Sequence, residues 1–197
     1  MSGILSDLAI QNAVDEGDIL IDPFNPEHLN ITSYDLTLGR EVRAFTNPDS
    51  KHSAAENHGI LPTPKTLDVK VPGAFHTWHM GDDGFVLYPG VGYLMHTQER
   101  VHTVKYNPIL DGKSSIARMF IQVHATAGYI DPGFDGQYTL EVIVQHAIRV
   151  YPGMRFAQVR FHTIAGELSK TYDQVGHYVG GTAQGAVPSQ VWAQFKE

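Results

Sequence analysis

Asp111-Gly112-Lys113-Ser114-Ser115-Ile116-Ala117-Arg118, followed by Val123-His124-Ala125-Thr126-Ala127-Gly128-Tyr129-Ile130-Asp131-Pro132-Gly133-Phe134 and Gln137-Tyr138-Thr139-Leu140-Glu141, brings three kinds of chemistry onto one short segment. A Gly-Lys-Ser-Ser turn with Arg118 just beyond it can cradle phosphates through backbone N–H groups and positive charge. An Asp can accept a hydrogen bond from a sugar hydroxyl, and a Glu on a strand can move protons. The combination reads as a nucleotide site. Each residue also has a plain structural reading. Ser in such a turn is most often a turn or cap residue, and Asp-Pro-Gly is a common turn. An acid in an alternating strand ordinarily faces solvent. Lys113 and Arg118 are equally readable as solvated surface charges. Residue order gives no Ser-His-Asp triad, so Ser114 is not read as a nucleophile.

Outward from this segment, short apolar runs alternate with Gly, Pro and Asp turns. With 19 Gly, 11 Pro and only 18% charged residues, the pattern reads as mainly β. One short amphipathic helix is predicted at residues 6–16, with Ser6 as N-cap and Gly17 as its stop. Strands are predicted at 19–21, 33–45, 66–71, 84–87, 92–99, 101–106, 120–124, 138–145 and 156–164. A helical turn capped by Ser114 or Ser115 is expected at 112–117. The polar stretch 47–64 reads as a surface loop. From about residue 173 the chain lacks a core-like pattern. Gly176, Gly180, Gly181 and Gly185 predict a tail that is mobile until ligand arrives. One domain accommodates the whole length.

Composition excludes several classes. A formal charge of −7 argues against broad nucleic-acid binding, which needs Lys and Arg to neutralise phosphates. No apolar run approaches the ~20 residues of a membrane span, and no basic region followed by an apolar core suggests a secretory signal. The chain has no Cys, so disulfides and thiolate chemistry are out, and a cytoplasmic setting is the default expectation. Zinc-dependent cytidine deaminases need His-x-Glu and Pro-Cys-x-x-Cys, and neither occurs here. His76-Thr77-Trp78-His79 offers two histidines around a Trp with no third ligand, and reads as core or surface rather than a metal pair.

The ordered motifs resemble the deoxycytidine triphosphate (dCTP) deaminases, members of the trimeric deoxyuridine triphosphatase (dUTPase)-like superfamily. The family pattern is Gly-Arg-Ser-Ser-x-x-x-Arg, His-x-Thr-Ala, Ile-Asp-Pro-Gly and Leu-Glu, in that order and at this spacing. Outside it, Ile31-Thr32-Ser33-Tyr34-Asp35-Leu36-Thr37-Leu38-Gly39 resembles the family's Ser-x-Asp-x-x-Leu-Gly strand. Leu87-Tyr88-Pro89-Gly90 and Tyr151-Pro152-Gly153-Met154 are similar to its Pro-Gly turns. Gln184-Gly185-Ala186-Val187-Pro188-Ser189 is similar to its C-terminal phosphate-covering segment. Residues 46–83 contribute least to the likeness.

The resemblance implies a distorted β-barrel of the dUTPase-like (β-clip) type with a short N-terminal helix, assembled as a homotrimer with active sites at subunit interfaces. It implies zinc-independent deamination of dCTP, with Mg2+ carried by the triphosphate. Glu141 would act as general base and then acid, while Ser114 and the carbonyl of Ala127 position the attacking water. Arg118, Lys113, Ser115 and Gln184 would hold phosphates, and Asp131 would read the 3′-hydroxyl. Tyr129 would pack beside sugar and base, and Gly128 would allow close backbone approach to the ligand. Tyr172 and His177 are weaker tail candidates. His124 and Thr126 fall in the segment that in many relatives changes conformation when thymidine triphosphate (dTTP) inhibits, which makes dTTP a candidate inhibitor.

Two departures matter. Lys113 stands where the family usually has Arg, keeping the charge but losing the planar fork that grips two oxygens. Gly128-Tyr129 replaces the His-Arg of deaminases that release dUTP and resembles the Gly-aromatic pair of members that continue to deoxyuridine monophosphate (dUMP) and diphosphate. Four alternatives stay open on sequence: a deaminase that releases dUTP, a pure dUTPase, a deaminase of a modified cytosine nucleotide, and a non-catalytic nucleotide-binding regulator.

Overall fold

Alternation of apolar and polar residues sorts most strands into a buried and an outward face. In the computed structural model, which describes residues 3–45, 66–178 and 185–196, the longest strands show this most clearly. The chain runs α1 (Asp7–Asp15), β1 (Leu20–Asp22), β2 (Leu29–Asn30), β3 (Ser33–Thr37), β4 (Glu41–Phe45), β5 (Phe75–His79), β6 (Phe85–Leu87), β7 (Tyr93–His102) and β8 (Tyr106–Gly112). It continues through α2 (Ser114–Ala117), β9 (Ile121–Gln122), β10 (Asp135–Val144), β11 (Ile148–Val150), β12 (Arg155–Thr163) and α3 (Tyr172–Val175). Short 3₁₀ turns lie at Pro26–His28 and Val191–Phe195.

The strands form three antiparallel sheets. One has the order β5-β4-β7-β10-β9 with β1 added on β7, one is β2-β3-β12-β8, and one is the pair β11-β6. The fold is therefore mainly β with a short N-terminal helix, as expected, but no barrel closes among the described residues; the strands stack as separate sheets over a shared core. That core includes Tyr34, Leu36, Tyr93, Met95, Leu140, Val142, Phe156 and Phe161. The chain passes between the two large sheets at Leu38 and Gly39. The Gly39 N–H donates to the His96 carbonyl at 2.8 Å, and a Cβ at Gly39 would lie 2.0 Å from the His96 ring. Only glycine fits at this crossing, which divides the predicted strand 33–45 into β3 and β4.

Ser6 caps α1 through its Oγ, which accepts from the Ala9 N–H at 3.3 Å, and Gly17 follows at φ +79°. Both match the sequence reading. Other expectations fail for local reasons. Residues 66–71 form no strand, because Asp68 folds the chain into a turn, its Oδ1 and carbonyl accepting from Lys70 and Val71. The two strands predicted at 92–99 and 101–106 are instead the continuous β7 and the start of β8. The strands β5 and β11 were not predicted. α2 forms where expected, but its N-cap is Lys113 with no side-chain cap bond, so neither Ser114 nor Ser115 caps it. The predicted loop 47–64 lies outside the described residues.

Candidate active site

Strand β10 sets the site. Tyr138, Leu140, Val142 and Val144 are buried in the core, which turns Gln137, Thr139 and Glu141 to the opposite face. That face forms one wall of a cavity of about 410 Å³, within the usual range for small-molecule sites. Glu141 and Thr139 line it together with Ala127, Tyr129, Asp131, Tyr172, Tyr178, Val187 and Ser189. Leu94 is directly opposite Glu141 across the β10–β7 pair, and with Phe45, Phe75, Ile130 and Phe134 it makes much of the remaining wall apolar.

Glu141 is therefore neither a core residue nor a solvated one. Desolvation raises its pKa above the ordinary carboxylate value. The Ala125 N–H, which donates to Oε2 at 3.3 Å, and the neighbouring His124 pull in the opposite direction. A carboxyl held this way is suited to taking up and returning a proton.

The Asp131-Pro132-Gly133 segment is a turn and a docking point at once. The Gly133 N–H donates to the Thr103 carbonyl at 2.7 Å, and the Tyr172 N–H to the Pro132 carbonyl at 2.8 Å. At φ +94°, a Cβ on Gly133 would lie 2.9 Å from the Tyr172 nitrogen. This turn brings Tyr172 into the cavity wall, its ring edge-on to Phe134 at 5.5 Å. Asp131 and Tyr129 stay exposed on the rim, Tyr129 at 66%. Gly128 has a structural reason within the chain. Its carbonyl accepts from the Leu110 N–H at 2.7 Å, and a Cβ would sit 2.5 Å from the Leu110 carbonyl oxygen and 3.0 Å from the His124 ring. The close approach is made by the chain's own backbone.

The other half of the expected site lies elsewhere. Lys113, Ser114, Ser115 and Arg118 do not line the cavity. The Lys113 ammonium is paired with Asp35, a carboxylate only 1% exposed on β3. Asn30 Nδ2 donates to the same carboxylate at 2.8 Å, and Arg155 Nη1 lies 3.7 Å from its other oxygen. Ser114, Ser115 and Arg118 are exposed on and just after α2. His124 is half-buried beside Glu141, whereas Thr126 and His177 are exposed and outside the cavity wall. Gln184 lies outside the described residues. His76 and His79 are on β5, and the His76 ring packs on Trp78 at 4.3 Å.

Several wall residues escaped the sequence reading. Leu94, Phe45 and Phe75 come from β7, β4 and β5, and only cross-strand register brings them to Glu141. Tyr178 follows His177 directly. Val187 and Ser189 lie within the C-terminal motif already noted, where Gln184 drew attention instead.

The sequence matches the dCTP deaminase-like family over residues 4–164. A relative in Clostridium botulinum named dCTP deaminase, dUMP-forming, is 34% identical over 194 residues, covering 98% of this chain and 99% of its own length. A protein of the same name in Cytophaga hutchinsonii is 34% identical over 197 residues with the same coverage, 98% and 99%. One in Leptospira biflexa is 35% identical over 180 residues, 91% of each chain. The crystal structure of 2'-deoxycytidine 5'-triphosphate deaminase from Agrobacterium tumefaciens superposes with a TM-score of 0.59 at 23% identity over 85% of this chain. This chain spans half of that one, and the likeness is one of fold.

Proposed function

This chain belongs to the dCTP deaminase-like family, and we propose that it hydrolyses dCTP to dUTP and ammonia and carries the product on to dUMP and diphosphate. The observation that carries this reading is Glu141, a half-buried carboxyl facing a nucleotide-sized cavity with Ala127, Tyr129 and Asp131 around it. In the first step Glu141 takes a proton from water as the oxygen adds to C4 of cytosine. It passes that proton to N3, then takes the proton of the new C4 hydroxyl and passes it to the amine, so that the C4–N bond breaks, ammonia leaves and the C4 carbonyl forms. Ala127, on the cavity wall, presents its carbonyl to the same water, and Ser114 orients it. Asp131 on the rim accepts from the sugar 3′-hydroxyl, and Tyr129 covers sugar and base.

The second step follows from Gly128-Tyr129. The backbone at Gly128 packs so closely on Leu110 that a side chain is excluded, which supports grouping this chain with its dUMP-forming relatives rather than with His-Arg enzymes. In this reading Mg2+ would enter carried by the triphosphate and be held mainly by phosphate oxygens and water. The sequence has no Cys for a thiolate–imidazole zinc set, and in this reading deamination runs without zinc.

Phosphate contacts from Ser115, Arg118 and Gln184 complete the reading. Because the turn at 113–118 does not line the chain's own cavity, the turn of a neighbouring copy supplies Ser114, Ser115 and Arg118, in a homotrimer with three sites at subunit interfaces. Lys113 acts within its own chain by anchoring the turn to Asp35. The contact between Ala125 and Glu141 supports dTTP as an inhibitor that acts by moving the His124–Thr126 segment. Among the described residues no helix is long and apolar enough to cross a membrane; a cytoplasmic nucleotide pool is the proposed setting.

The test is to incubate the protein with dCTP and Mg2+, before and after chelator washing, and measure ammonia, diphosphate and nucleotide products. Deoxyuridine monophosphate with both by-products, unaffected by zinc removal, is expected. Release of dUTP with ammonia alone would overturn the second step, and absence of ammonia would overturn the deaminase assignment.

A further inference from the structure

Along β7 the inward positions are Tyr93, Met95, Thr97, Glu99 and Val101, all buried. Two of them are polar, Thr97 at 0% and Glu99 at 2% exposure, and buried polar groups must find partners. Those partners lie where the sheet is irregular. Gln137 of β10 pairs with Arg100 of β7, but Thr139 pairs with His96. Tyr138 alone therefore faces Thr97, Gln98 and Glu99, and β7 carries two extra residues at this point, a bulge.

Side chains close the bulge. The Tyr138 N–H donates to Thr97 Oγ1 at 2.9 Å, and that hydroxyl donates to the Glu99 carbonyl at 2.9 Å. His96 Nδ1 donates to the Thr97 carbonyl at 2.8 Å, and Gln137 Nε2 to the Gln98 carbonyl at 2.9 Å, so each carbonyl of the bulge accepts from a side chain. His96 Nε2 accepts from the Glu41 N–H at 3.2 Å, which fits a neutral ring protonated at Nδ1. From the other large sheet, Thr37 donates its N–H to Glu99 Oε2 at 2.9 Å and its hydroxyl to Oε1 at 2.7 Å, clasping the bulge against the end of β3.

The bulge decides where Glu141 points. Its excess of two residues keeps Gln137, Thr139 and Glu141 on one face, with Leu94 opposite Glu141. With the pairing at 135–137 held, closing the bulge by one residue would bring Met95 opposite Glu141 and turn the carboxyl into the core. Closing it by both would bring His96 there. The same register carries two neighbours on that face, since Gln137 Oε1 accepts from the Gly185 N–H at 2.7 Å and Thr139 Oγ1 from the Val187 N–H at 3.0 Å. Thr37, Thr97 and Glu99 themselves do not line the cavity.

We propose that Thr97 is a positioning residue for Glu141: its hydroxyl, backed by the Glu99–Thr37 clasp, fixes the β7 bulge and with it the register that turns the Glu141 carboxyl to the cavity. It acts through the strand rather than on the substrate. The catalytic consequence rests on the proposed deaminase reading; the structural part does not.

The test sets Thr97→Val, which keeps the branched shape and removes the hydroxyl, against Thr97→Ser, which keeps the hydroxyl. Hydrogen exchange of the full chain at residue resolution should find the Tyr138 amide protected in the wild type and in Thr97→Ser, and exchanging about fivefold or more faster in Thr97→Val. The amides of β12 should be unchanged in all three. With dCTP, kcat for ammonia release should fall about tenfold or more in Thr97→Val, since a misplacement of roughly 1 Å costs up to about 10²-fold. KM should stay within about twofold, and Thr97→Ser should keep most of the wild-type kcat. An unprotected Tyr138 amide in the wild type, or equal protection in Thr97→Val, would overturn the bulge bond. Faster exchange with unchanged kcat, or a raised KM alone, would overturn the link to Glu141, and an equal fall of kcat in Thr97→Ser would remove the hydroxyl from the argument. If Thr97→Val fails to fold, Thr37→Val and Thr37→Ser put the same question from the other sheet, and the same contrast in kcat is expected; its absence would overturn the proposal. A wild type that released no ammonia from dCTP would sink the deaminase reading, while exchange at Tyr138 still decided the bulge.

Discussion

Lys113→Ala is the most informative single perturbation, because the sequence and the structure give that lysine different work. As a phosphate ligand its loss would weaken nucleotide binding and leave the fold intact. The structure instead places its ammonium on Asp35, whose side chain is 2% exposed against 18% for Lys113. Removing one member of a buried ion pair strands the other charge and costs about 3–5 kcal/mol. Asn30 still donates to Asp35, Arg155 lies near it, and Lys113 is not fully enclosed. These reduce the expected cost to the lower end, about 3 kcal/mol. For a chain of this length that is a fall of roughly 6–12 °C in Tm. Lys113→Arg keeps the charge and should retain most of the stability, though its longer planar head must be accommodated. Urea and thermal unfolding of the three proteins should be compared at one fixed protomer concentration, since assembly shifts apparent stability. Unchanged stability in Lys113→Ala, together with a raised KM for dCTP, would refute the anchoring argument and return Lys113 to the phosphate site.

The Glu141 carboxyl is raised by burial, so the folded state binds its proton more tightly than the unfolded chain does. Stability is therefore lost as pH rises from the unfolded value, about 4.3, through the higher folded one. Glu141→Gln should accordingly be more stable than wild type at neutral and alkaline pH, with the gap closing on acidification, while ammonia release falls by about 10²–10⁴-fold; a gap that widened toward low pH would contradict the assigned direction. If each site combines the cavity of one copy with the phosphate turn of another, Arg118→Ala and Glu141→Gln trimers should each be inactive. Allowing equal amounts to exchange subunits should then restore about one quarter of wild-type activity, the chance that an interface pairs the two intact halves. No restoration after demonstrated subunit exchange would place both halves within one chain.

Features set by short-range pattern were legible. The alternation around Glu141 placed it on a strand, Ser6 and Gly17 bounded α1, and the spacing from Gly112 to Glu141 pointed to the family. Features set by register or distant contacts were not. Nothing near Lys113 in sequence announces Asp35, and nothing near Leu94 announces Glu141. Residues 66–71 have the composition of a strand, yet an Asp68 turn wins because its own side chain supplies the bond a neighbouring strand would have given. Ser114 and Ser115 looked like caps of the turn expected at 112–117, but they are the first two residues of the helix and its cap position falls on Lys113. Gly128 does make a close approach, to the Leu110 backbone, a contact that nothing beside it in sequence announces.

The outward face of β10 links these observations. Its two-residue period places Gln137, Thr139 and Glu141 in line, so the groups that receive the C-terminal segment and the group proposed to move protons share one rigid strand. Covering the cavity removes water from Glu141, and desolvation is the leading cause of its raised pKa. A carboxyl left fully solvated there would return toward its ordinary value and bind its proton less tightly. A carboxyl fully enclosed, as Glu99 is between the N–H and hydroxyl of Thr37, could not meet a substrate at all. Glu141 lies between these limits, half-buried on a strand face that lines the cavity.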